Sequence, residues 1–333
     1  MSQTGPKQAA VQNLSEAFER STVTRPPDAW QKGFDRAFRW TAYGFAACVV
    51  VLLTGVVFEV MRHAGASMSN IGFGFLTESV WDANAGKFGI LPSIAGTLYT
   101  SIVALIIGGG LGITTAIVLS QGFLRRRAEV VMKNVIELLA AIPSVVYGLW
   151  GIYVLIPAIR PLANLAHEKL GFLPFFSTRL SGPGILPASL VLAIMILPTV
   201  TAISREAIVA VPKRLAAAAY GLGATRWEVI FKVILPTASG GIFGALVLGF
   251  GRALGETMAL AMLVGNANRF GWSLLSPGNT LSALLANHFP EADKVEVGAL
   301  MCAAVVLLLI TLGVNAVGSL IMLRANRGLK GLG

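Results

Sequence analysis

Six long apolar runs, separated by polar stretches, organise the chain. They fall at about residues 40–60, 95–119, 136–158, 185–204, 238–264 and 297–323. Each is near or above the length, about 20 residues, that an α-helix needs to cross the hydrocarbon core of a bilayer. The fourth and sixth runs contain no charge at all, whereas the fifth is interrupted by Arg252 and Glu256. The pattern predicts an all-α, polytopic membrane protein with six transmembrane helices. It divides into a cytoplasmic N-terminal segment (1–39), a first helix with an outer loop (40–94), a core of five helices (95–323) and a cytoplasmic tail (324–333). The core includes a cytoplasmic loop over 205–236. The N-terminal segment is too long and too charged for the leading part of a signal peptide, so it reads as retained, with an amphipathic helix near residues 8–20.

Composition agrees with this pattern. Charged residues make up 13% of the chain and hydrophobic ones 55%, against about 25% charged in a soluble domain. That excludes a water-soluble globule, and it excludes disorder, which requires low hydrophobicity. The 37 glycines suit helices that approach closely inside a membrane. A net charge of +10 raises nucleic acid as a partner. The basic residues, however, are scattered in short groups between apolar runs, with no nucleic-acid-binding signature. They serve orientation instead. With the N-terminus inside, cytoplasmic segments hold 18 Lys and Arg and outer segments 7, with Arg252 in the membrane. This split predicts both termini in the cytoplasm. The outer loops are about 61–94, 159–184 and 265–295. The second is expected to hold a short surface helix ending near Gly171.

Cys48 and Cys302 lie in apolar runs, and His63, His167 and His288 are isolated from one another, so no disulfide framework and no metal site is expected. Pairs such as His63 and Ser67, or His288 and Glu291, read as loop residues, and no catalytic constellation suggests an enzyme. The glycines at 108–110 and 112 lack the lysine of a phosphate-binding loop, so the chain itself is expected to bind no ATP and no other cofactor.

The informative charges are Arg252 and Glu256, in Gly251-Arg252-Ala253-Leu254-Gly255-Glu256-Thr257. A mid-membrane Arg costs about 2.5–3.5 kcal/mol on insertion scales and is tolerated where it faces protein or water. Four residues apart on a helix, the two side chains share a face. They either form an ion pair that fixes packing or line a solute pathway, in which the guanidinium fork suits an oxyanion. Gly251 and Gly255, like Gly240 and Gly244, read as helix-packing positions. On the cytoplasmic side, residues 211–236 predict two short helices. Leu215–Ala219 form the first, Gly221 and Gly223 break it, and Trp227, Ile230, Phe231 and Ile234 mark a second that Pro236 ends.

This last stretch resembles the coupling loop of ABC importer permeases, a Glu-Ala-Ala, three residues, Gly, nine residues, Ile-x-Leu-Pro pattern. Ala217, Ala218, Ala219, Gly223, Val233, Leu235 and Pro236 occupy its positions, with Ala217 in place of the acidic residue and Val233 in place of Ile. The segment Gly251–Thr257 resembles the fifth-helix motif of the phosphate-specific, PstC-type permeases. So do Ile142-Pro143-Ser144-Val145-Val146-Tyr147-Gly148 and Phe88-Gly89-Ile90-Leu91-Pro92. The resemblance covers the chain from about residue 40 onward. It implies a type I ABC importer permease fold in a bacterial inner membrane. It also implies uptake of inorganic phosphate by alternating access, with Arg252 and Glu256 on the pathway and the loop from 213 to 232 docked on an ATPase. The implied partners are a second, similar permease subunit, two ATPase subunits that bind ATP and Mg, and a periplasmic phosphate-binding protein. Two other readings remain open: an ABC permease for sulfate, molybdate or phosphonate, and a proton-coupled secondary transporter.

Overall fold

The structure, a computed structural model, describes residues 29–83 and 85–330 of the chain. The amphipathic helix expected near 8–20 lies outside these residues. The chain forms two compact units that divide between Glu59 and Val60. Helix α1 (Ala29–Ile71) supplies the described part of the first unit. Its residues up to Glu59 are exposed on all sides. Thr41 and Thr54 donate their hydroxyls to the carbonyls of Ala37 and Val50, each at 2.8 Å. A hydroxyl turned back on its own helix needs no water.

The second unit starts with the last turns of α1. A small antiparallel hairpin follows, β1 (Trp81–Asp82) and β2 (Lys87–Phe88), with Trp81 opposite Phe88. Next come α2 (Leu91–Ser120), α3 (Arg126–Ala141), α4 (Ser144–Leu170) and α5 (Ile185–Val209). The remainder is α6 (Lys213–Gly221), α7 (Arg226–Gly255), α8 (Met258–Leu263), α9 (Leu281–His288) and α10 (Lys294–Lys330). Among the described residues six helices are long and apolar enough to cross a membrane: α1, α2, α4, α5, α7 and α10. The all-α, six-span architecture expected from the hydropathy pattern is the one observed.

Three boundaries differ from expectation. The apolar run 136–158 is not one helix. It breaks at Ile142-Pro143, where both residues are extended, because a residue before proline is pushed out of the helical region. Residues 126–141 form the amphipathic α3, and the third span is α4, starting at Ser144. Near the start of α3, Lys133 bonds the Glu129 carboxylate at 2.5 Å, and this hydrogen bond holds Glu129 below the usual carboxylate range. The separate surface helix expected to end near Gly171 is instead the outer end of α4, which runs unbroken to Leu170. Pro236 likewise does not end the second coupling helix, for α7 is continuous from Arg226 through it. A π-helical stretch, Ile230–Ile234, immediately precedes this proline, as Gly151–Leu155 precedes Pro157 in α4. Proline lacks the N–H that an α-helix would direct four residues back, and its ring crowds that carbonyl. The wider π turn accommodates both.

Helix α5 is the centre of the second unit. Two thirds (67%) of its most apolar window is buried, against 22–33% for the other spans of this unit. A helix that is apolar all round belongs inside, and α5 has no charge from Ile185 to Ser204. It lies between α2 and α7, and glycines allow both neighbours to come close. A Cβ on Gly108 would sit 2.5 Å from the Ala193 carbonyl oxygen. Cβ atoms on Gly112 and Gly249 would lie 2.9 and 2.8 Å from the two methyls of Val200. Thr201 adds a hydrogen bond to the Gly112 carbonyl at 3.2 Å. By contrast, Gly255 meets nothing within 4 Å and Gly251 only the Asn315 amide at 3.4 Å. The expected packing role of the Gly251 and Gly255 pair is not seen within this chain.

This packing gives a direct test. Gly108→Leu is expected to lower the thermal unfolding midpoint of the detergent-extracted protein, since overpacking costs about 1–3 kcal/mol. Gly110→Leu, two residues on, where a Cβ meets open space, is expected to leave it unchanged.

Candidate functional site

The expected site residues Arg252 and Glu256 lie at a break in the membrane. Helix α7 stops at Gly255, and Glu256 is extended, with φ −68° and ψ 127°. Helix α8 restarts at Met258. No ion pair joins the two side chains: Arg252 reaches α5, and the Glu256 carboxylate turns to the start of α8. Of the two readings open from the sequence, the ion pair that fixes packing is the one the structure does not show.

Each charge has its own setting. Arg252 is in the last turn of α7, where a cation complements the negative end of the helix dipole. Its side chain is exposed, and one guanidinium N–H reaches the Thr199 hydroxyl on α5 at 3.3 Å. Glu256 precedes α8, where an anion is favoured, and its carboxylate accepts from the Ala259 N–H at 3.4 Å. Its own carbonyl accepts from the Ser282 hydroxyl of α9 at 2.7 Å. Helices α8 and α4 are held close by Gly148 and Gly151, where Cβ atoms would meet Met262 and Leu263 at 2.7 Å. Across the Pro143 break, the Tyr147 hydroxyl donates to the Leu139 carbonyl at 2.7 Å.

Such an arrangement can hold an anion. A guanidinium has five N–H donors, and Arg252 directs one to Thr199. An exposed Arg in the apolar part of a spanning helix would be costly against lipid. Irregular backbone at membrane depth is tolerated only where protein or water covers it. Thr199, Ser282 and Asn315 were not singled out from the sequence. Asn315 was findable, being a lone amide in an uncharged span. It lines a groove of about 300 Å³ with Gly244, Val247, Gly318 and Ser319.

The segment 211–236 forms the two expected helices. Ala217, Ala218 and Ala219 lie on α6, the first two exposed and Ala219 half-buried against an apolar cluster that includes Val229 and Ile230. Gly223 has φ +84°, the left-handed conformation that glycine adopts without strain. Its N–H reaches the Tyr220 carbonyl at 2.9 Å, and the Ala224 N–H that of Ala219 at 3.1 Å, the paired bonds of a Schellman helix end. Thr225 and Glu228 then form a capping box that starts α7. Between them, Leu222 projects with 91% of its surface exposed. Arg226 stacks over Phe123 at 3.7 Å and donates to the Gln121 carbonyl. Phe123 meets Trp227, which stacks on Phe231. Leu235 is half-buried and Pro236 exposed at the start of the apolar part of α7.

Six spans, a helix broken beside a buried core and a projecting helical turn between α6 and α7 fit a multi-pass membrane transport component. The chain belongs to the family of binding-protein-dependent transport system inner membrane components, which matches residues 108–330. It is 39% identical over 298 residues to the phosphate transport system permease protein PstC of Pasteurella multocida (strain Pm70), covering 87% of this chain and 92% of that one. It is 38% identical over 296 residues to PstC of Mesorhizobium japonicum (strain LMG 29417 / CECT 9101 / MAFF 303099), covering 87% and 90%. In structure it resembles a bacterial alginate ABC transporter crystallised with its alginate pentasaccharide-bound periplasmic protein, with a TM-score of 0.59. That match covers 85% of this chain and 94% of the other. At 15% identity the likeness carries the fold, that of a type I ABC importer permease. The chain is thus a permease subunit rather than an enzyme, and the resemblance read from its motifs is borne out.

The separate settings of the two charges are testable. The Arg252→Gln, Glu256→Gln double variant of the assembled protein is expected to be no more thermally stable than the less stable of the two single variants. Rescue of either by the double variant would restore the ion-pair account.

Proposed function

We propose that this chain forms half of the pathway through which an ATP-driven importer moves inorganic phosphate from periplasm to cytoplasm. The observation that carries the reading is Arg252: an exposed guanidinium with donors to spare, at a helix break in mid-span, in a chain similar over most of its length to phosphate permeases. A dianion or monoanion crossing the bilayer needs such donors in place of water. Glu256 sits beside this cation and offsets its field, so that phosphate is passed on rather than trapped. Family membership favours a binding-protein-dependent system over a proton-coupled carrier, and the relatives favour phosphate over sulfate, molybdate or phosphonate.

The remaining parts follow from the same reading. The face carrying Arg252 is covered by a second, similar permease subunit. The turn at Leu222 and Gly223 docks in a groove on one of two ATPase subunits, which bind ATP and Mg. A periplasmic phosphate-binding protein delivers the solute to the outer loops. Both termini lie in the cytoplasm of a bacterial inner membrane, consistent with the 18 to 7 distribution of cations. ATP binding shifts the balance between outward-open and inward-open states, and α6 with the start of α7 carries that shift into the membrane.

Two measurements test the reading. At matched levels of assembled complex, Arg252→Gln is expected to lower phosphate uptake roughly tenfold to a hundredfold. This corresponds to losing a charge-assisted hydrogen bond of about 1.5–3 kcal/mol. Arg252→Lys should recover only part, because it keeps the charge without the fork. Parental uptake in Arg252→Gln would remove Arg252 from the pathway. Gly223→Val, whose branched side chain distorts a turn held at φ +84°, should insert normally yet uncouple ATP hydrolysis from uptake. Unimpaired coupling would remove the docking turn.

A further inference from the structure

The break between α7 and α8 leaves a carbonyl in the membrane interior, and the group that satisfies it comes from an outer element. Ser282 is 2% exposed and donates to the Glu256 carbonyl at 2.7 Å. It lies in the first turn of α9, whose residues Leu281–Leu284 are buried. The start of α9 is pinned in turn. The Leu281 N–H donates to the Thr97 hydroxyl of α2 at 2.9 Å, and Thr280 caps the helix through the Ala283 N–H at 3.2 Å.

The far end of α9 is fixed just as specifically. The His288 Nδ1 lies 3.0 Å from the Glu296 carboxylate of α10, and the Trp81 indole N–H donates to the same oxygen at 3.0 Å. Glu296 is 7% exposed, so these partners substitute for water around a nearly buried carboxylate. Trp81 belongs to the outer hairpin, and its ring meets Phe88 and His288 edge-on at 5.1 and 5.6 Å. One short helix therefore joins the hairpin on the outer surface to the broken helix at Glu256. Neither end is apolar packing alone. Both are hydrogen bonds to buried or nearly buried groups, which are costly to break where no water replaces the partner.

We propose that Ser282 is a positioning residue for Glu256. Its hydroxyl keeps the break between α7 and α8 in place, and α9 links that break to the outer hairpin through His288, Glu296 and Trp81. Movement of the hairpin when a solute-loaded protein docks outside is thereby passed to the residue beside Arg252. The inference rests on the pathway assignment of Glu256 made above.

The test uses the complete transporter with Cys48→Ser and Cys302→Ser, and a reporter thiol at Met258→Cys, an exposed position just past the break. Ser282→Ala is expected to lower phosphate turnover per assembled complex about fivefold or more, the effect of stranding a buried carbonyl. It should also change the rate at which the reporter thiol reacts with a water-soluble maleimide. Ser282→Thr, which keeps the hydroxyl, should restore both. Trp81→Phe, remote from the break, should change the same thiol rate, and it serves as the deciding variant if Ser282→Ala does not assemble. Unchanged turnover and thiol rate in Ser282→Ala, or an unchanged thiol rate in Trp81→Phe, would overturn the proposal. Glu256→Gln measured alongside separates the two claims. If it transports normally, the pathway assignment fails; if it is impaired while Ser282→Ala is not, only the link through α9 fails.

Discussion

Inside a bilayer there is no water to satisfy a backbone carbonyl or N–H, so every such group must find a partner in the protein. The places where this chain departs from regular helix are therefore the places where its tertiary structure is most constrained. At Pro143 the Tyr147 hydroxyl reaches back to Leu139. Before Pro157 and Pro236 the helices widen into π turns. At Gly255–Thr257 the helix opens fully, and Ser282 and the Glu256 side chain supply the missing partners. An interruption maintained at that expense, in the same turn as an exposed Arg, is what a passive scaffold would avoid and an anion pathway requires.

The rest of the second unit can be read as support for that interruption. Helix α5 is buried on most of its surface, and glycines on α2 and α7 lock against Ala193 and Val200. The rigid core so formed presents Thr199 to Arg252. Helix α9 meets the break through Ser282, and the turn at Gly223 leads into the start of α7, the same helix that carries Arg252 in its last turn. A displacement applied at either surface thus has a short, hydrogen-bonded route to one layer of the membrane.

Much of this was legible in the sequence, for physical reasons. Spans are readable because hydrocarbon thickness sets their length and because an uncharged run such as 185–204 has few other fates. The turn between α6 and α7 was readable because Gly221 and Gly223 stand out after an alanine-rich helix. The misreadings concern helix continuity. Pro236 looked like a stop, but at the first turn beyond a wider segment a proline has no N–H to lose that matters. The run 136–158 looked continuous because hydropathy does not register backbone geometry, although Pro143 carried the signal. The opening at Gly255–Thr257 had no proline to announce it. The carbonyl it frees is met by Ser282, which is 26 residues away in sequence, and local propensity is too weak to reveal such a contact. With it went the alternative of an Arg252–Glu256 ion pair, since the Glu256 carboxylate turns to the start of α8 instead.

The central claim is that a positive charge at position 252 faces the solute. The most direct measurement replaces Arg252 by Cys in the transporter bearing Cys48→Ser and Cys302→Ser, then follows phosphate uptake after reaction with methanethiosulfonates of different charge. The account predicts that uptake lost in the Cys variant returns in part with the aminoethyl reagent, which restores a cation, and not with the neutral hydroxyethyl or anionic sulfonatoethyl reagents. Phosphate should slow the reaction. Equal recovery with the neutral reagent, or a reaction rate indifferent to phosphate, would contradict it.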